Sequence, residues 1–194
     1  MSAYDYEHFV NDFINRTQAN LNTIDKIAES GNESEVYEIT QLINSLFGLL
    51  IVPFERYKKV EEDELKNKNG YNELVSSIKN IKRLYTNYED DRDDLGNFKV
   101  SNFIKHLRNA LAHLGNDRVL FLDEDQKLTG MLFYDNYKDK ETDKLYEFCV
   151  ELDINSFRQI VESIIKMYSD VDNEFNETYH NKILRRQKIF KRNK

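Results

Sequence analysis

The sequence predicts a mainly α protein, a helical bundle of four to five helices with a small antiparallel β insertion before the last helix. Three observations predict it. Apolar residues recur at three- and four-residue steps through the first 27 residues, and the same period returns most clearly over residues 100–114. Between about 118 and 152 the period shortens to the two-residue alternation of strands.

Tyr6, Phe9, Val10, Phe13, Ile14, Thr17, Leu21, Ile24 and Ile27 line one face of a long first helix. Ser30-Gly31-Asn32 breaks it, and Asn32 with Glu35 makes a capping pair for a second helix running to about Tyr57. Its second half, Leu46 to Phe54, is apolar nearly all round, which places it deep in a bundle or in a subunit interface. Pro53, the only proline, is expected to kink or end that buried part by removing a helical donor. After the polar, loop-like residues 61–70, a third and shorter helix is marked by Leu74, Val75, Ile78, Ile81, Leu84 and Tyr85. A charged connector over 89–96 follows. Val100, Phe103, Ile104, Leu107, Ala110, Leu111 and Leu114 stripe a fourth helix, with Gly115 as its left-handed cap. Residues 118–122, 128–134 and 145–152 read as two or three antiparallel strands. From Ile154 the helical period resumes through Phe157, Ile160, Val161, Ile164, Ile165, Tyr168, Val171 and Phe175 in a fifth helix.

At 194 residues the chain suits one domain, taken as residues 1–181 with the β insertion at about 118–152 and a basic tail at 182–194. A hydrophobic fraction of 40% with twelve Tyr and twelve Phe excludes a disordered composition. The N-terminus lacks the pattern of a signal peptide, and the longest apolar run is far too short to span a bilayer, so a cytoplasmic protein without membrane contact is expected. Cys149 is the only cysteine, which excludes an intrachain disulfide and a cysteine-ligated zinc site. No cofactor is implied. The net charge of −7 includes seven cations and no acid in the tail, which leaves −14 on residues 1–181. Such a body repels nucleic acid at long range, so any RNA contact must be local or made by the tail.

One segment carries chemistry. Residues 103–115 place Arg108, Asn109 and His113 at the end of the fourth helix. Ten arginines and four histidines give about 0.2 Arg-x4-His pairs by chance, and requiring Asn after the Arg lowers this to about 0.02. The residue types suit cleavage of a phosphodiester by the RNA's own 2′-hydroxyl, since histidine moves a proton near neutral pH and a guanidinium stabilises charge on the phosphate. That division of labour calls for no metal. On a helical wheel, however, Arg108 and His113 stand about 140° apart, while Asn109 and His113 share a polar face with Asn102 and His106. Two such helices packed about a two-fold axis would bring both sets into one cleft, so a homodimer is expected.

Arg108-Asn109-Ala-Leu-Ala-His113 resembles the Arg-Asn-x3-His form of the signature of the HEPN superfamily. The apolar second helix, residues 41–57, is similar to that of a bacterial HEPN subgroup. The resemblance implies a helical bundle, dimerisation through the motif helices, and metal-independent RNA cleavage leaving a cyclic phosphate. It implies catalytic roles for Arg108, Asn109 and His113; His106 and Asn102, which share the polar face, are substrate-binding candidates. Many relatives are toxins or phage-defence proteins, so an antitoxin or a defence-system protein is a further partner to expect. One departure stands out, because Gly115 occupies the position at which a subset of HEPN toxins carries a modifiable tyrosine. The competing reading is a non-catalytic HEPN dimer that binds RNA, a nucleotide or a partner protein through the same cleft; a purely structural bundle within a defence complex is a third. His106 is read first as a solvated histidine, and Asp90, Asp91, Asp93 and Asp94 as a solvated connector rather than a cation site.

Overall fold

The computed structural model describes residues 9–29, 38–57, 60–113, 117–124 and 127–171. Its elements run α1 (Phe9–Glu29), α2 (Glu38–Tyr57), α3 (Glu62–Leu65), α4 (Tyr71–Lys79), β1 (Arg83–Thr86), a 3-10 turn (Glu89–Asp91), α5 (Val100–Ala112), β2 (Val119–Glu124), β3 (Lys127–Lys138) and β4 (Leu145–Asp153). Residues 154–171 form a last helix, α6. The Asn32–Glu35 capping pair, the Gly115 cap, Phe175 and the basic tail lie outside the described residues.

The expected helical bundle is overturned. Among the described residues six helices share the fold with a four-stranded antiparallel sheet of order β1-β4-β3-β2, which makes it a mixed α/β architecture with the sheet ahead of the last helix. The sheet is also not a plain insertion between two helices, because β1 comes from before α5. Ile81, Leu84 and Tyr85 extend the helical spacing of Leu74 and Ile78, but α4 stops at Lys79 with Asn80 as its cap. The next residues alternate instead. Leu84 and Thr86 sit opposite Val150 and Phe148 on the inner face, while Arg83 and Tyr85 point outward. Asn87 prolongs the ladder, its side chain donating to Leu145 O at 3.1 Å and accepting from Glu147 N at 2.6 Å. A strand that completes the hydrogen bonding of an edge outweighs a weak helical propensity.

The motif helix is the centre of the molecule. Val100, Phe103, Ile104, Leu107 and Ala110 are fully buried, packed with Leu49 and Leu50 of α2 and with Phe133, Phe148 and Val150 of the sheet in one core cluster. Phe157 of α6 meets Phe133 with ring centroids 5.3 Å apart. Helix α2 continues through Pro53 to Tyr57 rather than ending there. A distant carboxylate caps α5. Glu62 accepts from the backbone N–H groups of Val100 at 3.0 Å and Ser101 at 2.7 Å, and from the Tyr71 hydroxyl at 2.7 Å. An anion there satisfies two orphan donors and complements the positive end of the helix. No helix among the described residues is long and apolar enough to cross a membrane.

Two glycines with positive φ have different surroundings. At Gly70, φ +83°, an added Cβ would lie 2.4 Å from the backbone oxygen of Ser163, because the start of α4 is docked against α6. At Gly96, φ +80°, nothing stands within 4 Å. Gly96→Ala is therefore expected to cost about 1 kcal/mol, from backbone conformation alone, and Gly70→Ala at least about 2 kcal/mol more. Urea denaturation of the two variants measures the difference; equal losses would mean that the α4–α6 docking is not tight.

Candidate functional site

His106, Arg108, Asn109 and His113 all project from the second half of α5, but into different surroundings. His106 does not face water. The residue is 3% exposed, its ring stacked on that of Phe148 at 4.6 Å and 13°, with Tyr88 at 4.6 Å on another side. Its Nδ1 lies 2.8 Å from Asp135 Oδ2 and its Nε2 lies 3.0 Å from Asp91 Oδ1. The solvated reading of His106 fails because β3 and the 3-10 turn cover the polar stripe of the helix.

Both carboxylates are built into the fold. Asp91, 1% exposed, closes the 3-10 turn and accepts from the Thr86 hydroxyl. Asp135, 5% exposed, accepts from His106, from Arg118 Nη1 at 2.7 Å and from Asn109 Nδ2 at 3.1 Å. Burial alone would raise the Asp135 carboxyl and lower the His106 imidazole. The hydrogen bonds and charges of the network reverse both effects, holding Asp135 below and His106 above their ordinary values. With a carboxylate oxygen at each ring nitrogen, the form that fits the geometry is the imidazolium, which donates from both. Two cations, His106 and Arg118, face two anions, Asp91 and Asp135, so the buried cluster is neutral. The imidazole stands between its carboxylates, and among the described residues no three His, Cys, Asp or Glu side chains converge where a metal ion could sit.

Asn109 links this cluster to the motif arginine. While its amide nitrogen donates to Asp135, its Oδ1 accepts from Arg108 Nη1 at 3.1 Å. The Arg108 guanidinium also lies over the Phe54 ring at 5.7 Å. His113 is the exposed cap residue of α5, its N–H bonded to Asn109 O at 3.2 Å and Ala110 O at 3.3 Å. Two cavities meet along this wall. Arg108, Asn102 and Asn109 line one of about 990 Å³, and His106, Asn109 and His113 line another of about 430 Å³ with Tyr88, Arg118 and Tyr137. Asn109 and Lys105 border both. Within one chain, then, Arg108 and His113 open on opposite sides of Asn109. Asn102 donates to Asp90 O at 2.9 Å and so pins the turn that carries Asp91.

A family model described as HEPN pEK499 p136 matches residues 1–175. The chain belongs to this HEPN family. No curated protein and no solved structure matches it. The HEPN motif therefore sits on a helix whose polar side is occupied by a buried ionic cluster. Of that cluster, sequence reasoning named only His106 as a candidate site residue. Asp91 was folded into an acidic connector, of which Asp90 and Asp94 are indeed exposed, and Asp135 and Arg118 were passed over. The one signal for Asp135 was a carboxylate on the inward side of a strand, alternating with Met131 and Phe133.

The two shifts set the pH range of stability. His106, raised, stabilises the fold fully below its ordinary value of 6.5, and the contribution is lost as pH rises through its higher folded value. Asp135, lowered, stabilises above its ordinary value of 3.8, and that contribution is lost as pH falls through the lower folded value. His106→Gln is expected to lower stability by about 3 kcal/mol, since it leaves buried carboxylates short of a cation, and to flatten the alkaline decline of Tm. A variant that kept the wild-type decline would show that His106 is not the group responsible.

Proposed function

We propose that this HEPN protein is a metal-independent endoribonuclease, acting as a toxin or phage-defence effector, with Arg108, Asn109 and His113 at its centre. The observation that carries the reading is the placement of Asn109. It stands where two cavities meet, held by Asp135 behind it and bonded to Arg108 beside it, with His113 one turn further along the same wall. A phosphate lying over Asn109 would have a guanidinium on one side and an imidazole on the other.

The reaction is intramolecular transfer within RNA. The 2′-oxygen attacks the adjacent phosphorus and gives up its proton, the bond to the 5′-oxygen breaks, and that oxygen takes a proton, leaving a 2′,3′-cyclic phosphate and a 5′-hydroxyl. His113 handles the proton and Arg108 stabilises the charge on the phosphoryl oxygens, each contributing in the range of two to four orders of magnitude. Asn109 holds Arg108 in place. Because Arg108 and His113 open on different cavities of one chain, the complete site is assigned to a homodimer, in which a second α5 supplies the missing partner and a second His113 serves the leaving oxygen.

Purified protein incubated with mixed RNA in excess EDTA is expected to yield cyclic-phosphate ends. His113→Ala should lower the rate by about 10² to 10⁴ while Tm is unchanged, since the side chain is exposed. Equal cleavage by wild type and variant would refute the assignment. RNA bound by both without cleavage would favour the non-catalytic binding module.

A further inference from the structure

An aromatic column runs from the core to the rim of the His113 cavity. It starts at Phe148, passes through His106 at 4.6 Å and Tyr88 at 4.6 Å, continues to Tyr146 at 5.4 Å, and ends at Tyr137 at 6.4 Å. Tyr137 and Tyr146 are cross-strand partners on β3 and β4, their rings stacked within 24° of parallel. Phe148 and His106 are buried, and Tyr88 and Tyr146 are half-buried. Tyr137 is 56% exposed and lines the same 430 Å³ cavity as Asn109 and His113. A large aromatic residue held by its neighbours and left open at the mouth of a cavity is a stacking surface whose next rung is missing.

We propose that Tyr137 is the platform for an unpaired nucleobase, so that the substrate is single-stranded RNA with a base splayed out beside the scissile phosphate. This rests on the ribonuclease reading for what the strand is, and on the column for how it is held. A base in a duplex has both faces covered and offers none to Tyr137, whereas an unstacked base gains contact with a ring already ordered by Tyr146. The surrounding charges suit a strand passing by. Lys105 is exposed between the two cavities and makes no ion pair among the described residues, which leaves its ammonium open to a passing phosphate. Asp135, the acid on this cavity wall, is already engaged by Arg118, His106 and Asn109. A cavity of this size accommodates a nucleoside unit.

The test is fluorescence anisotropy with a short single-stranded 2′-O-methyl oligoribonucleotide, which cannot be cleaved by this chemistry, on wild type, Tyr137→Ala and Tyr137→Phe. Tyr137→Ala should weaken binding about tenfold, by a factor that does not shrink between low and high salt, while Tyr137→Phe binds nearly as wild type. An oligonucleotide with abasic positions should lose as much affinity for the wild-type protein, which requires no substitution in the chain. Duplex of the same sequence should compete poorly. Unchanged binding by Tyr137→Ala, equal competition by duplex, equal displacement by a free nucleoside monophosphate, or no binding by wild type would each overturn the proposal. Cleavage of unmodified RNA, followed in parallel, separates the two readings. Cleavage with unaltered KM in Tyr137→Ala sinks the platform and leaves the nuclease. Tyr137-dependent binding without cleavage does the reverse.

Discussion

The ion pairs of His106 with Asp91 and Asp135 are the constraint on which the rest of this structure depends. Together with the Asn109–Asp135 and Asn102–Asp90 hydrogen bonds they tie three segments: the motif helix, the 3-10 turn that follows β1, and β3. An imidazolium buried between carboxylates is costly to assemble and costlier to leave half-made, so the cluster tolerates few alternative arrangements. Besides its share of stability it sets registry. With Asp135 fixed by His106 and Arg118, the amide of Asn109 has one orientation that satisfies both of its ends, and Arg108 is presented from there.

The same helix is held at its other end by Glu62, a residue 38 positions away from the first amide it caps. The site thus sits on a rigid element clamped at its start by a carboxylate and along its flank by an ionic cluster. Only the last residue of the motif escapes. His113, at the cap of α5, has its backbone fixed by two hydrogen bonds and its side chain in solvent. In the proposed reaction the general acid–base group needs this freedom, because it must change protonation and contact substrate, whereas residues that would bind the phosphate gain from being ordered in advance.

How much of this was legible in the sequence divides along a physical line. Periodicity found α1, α2, α5 and α6, because each buries a stripe that the spacing of apolar residues records directly, and alternation found β2, β3 and β4. It misplaced β1. Leu84 and Tyr85 fit a helical stripe and a strand equally well over so short a run, and only the open edge of β4, a long-range fact, decides between them. The motif residues were named from residue type and resemblance. Their surroundings were not, since a helical wheel tells which side chains share a face and not what that face meets. His106 and Asn109 share a face with His113, but the sheet covers the first, reaches the second through Asp135 and stops short of the third. Asp91 was hidden for a related reason: among the five acids of residues 89–94 nothing local distinguishes the one that turns inward.

The charge distribution explains why recognition at such a site would rest on aromatic surface rather than on a basic field. Outside the tail the chain carries −14, and the cations nearest the motif are largely committed, Arg118 to Asp135 and Asn136, Lys144 to Glu89. A polyanion gains little from approaching such a body at physiological ionic strength, where exposed charges are screened within about 8 Å. Stacking has no such limit. It acts at contact, is indifferent to net charge, and requires a base already free of its neighbours. An acidic protein that must act on RNA without binding every RNA it meets would gain discrimination from that combination, because the affinity lies in a surface that only an unpaired base can reach.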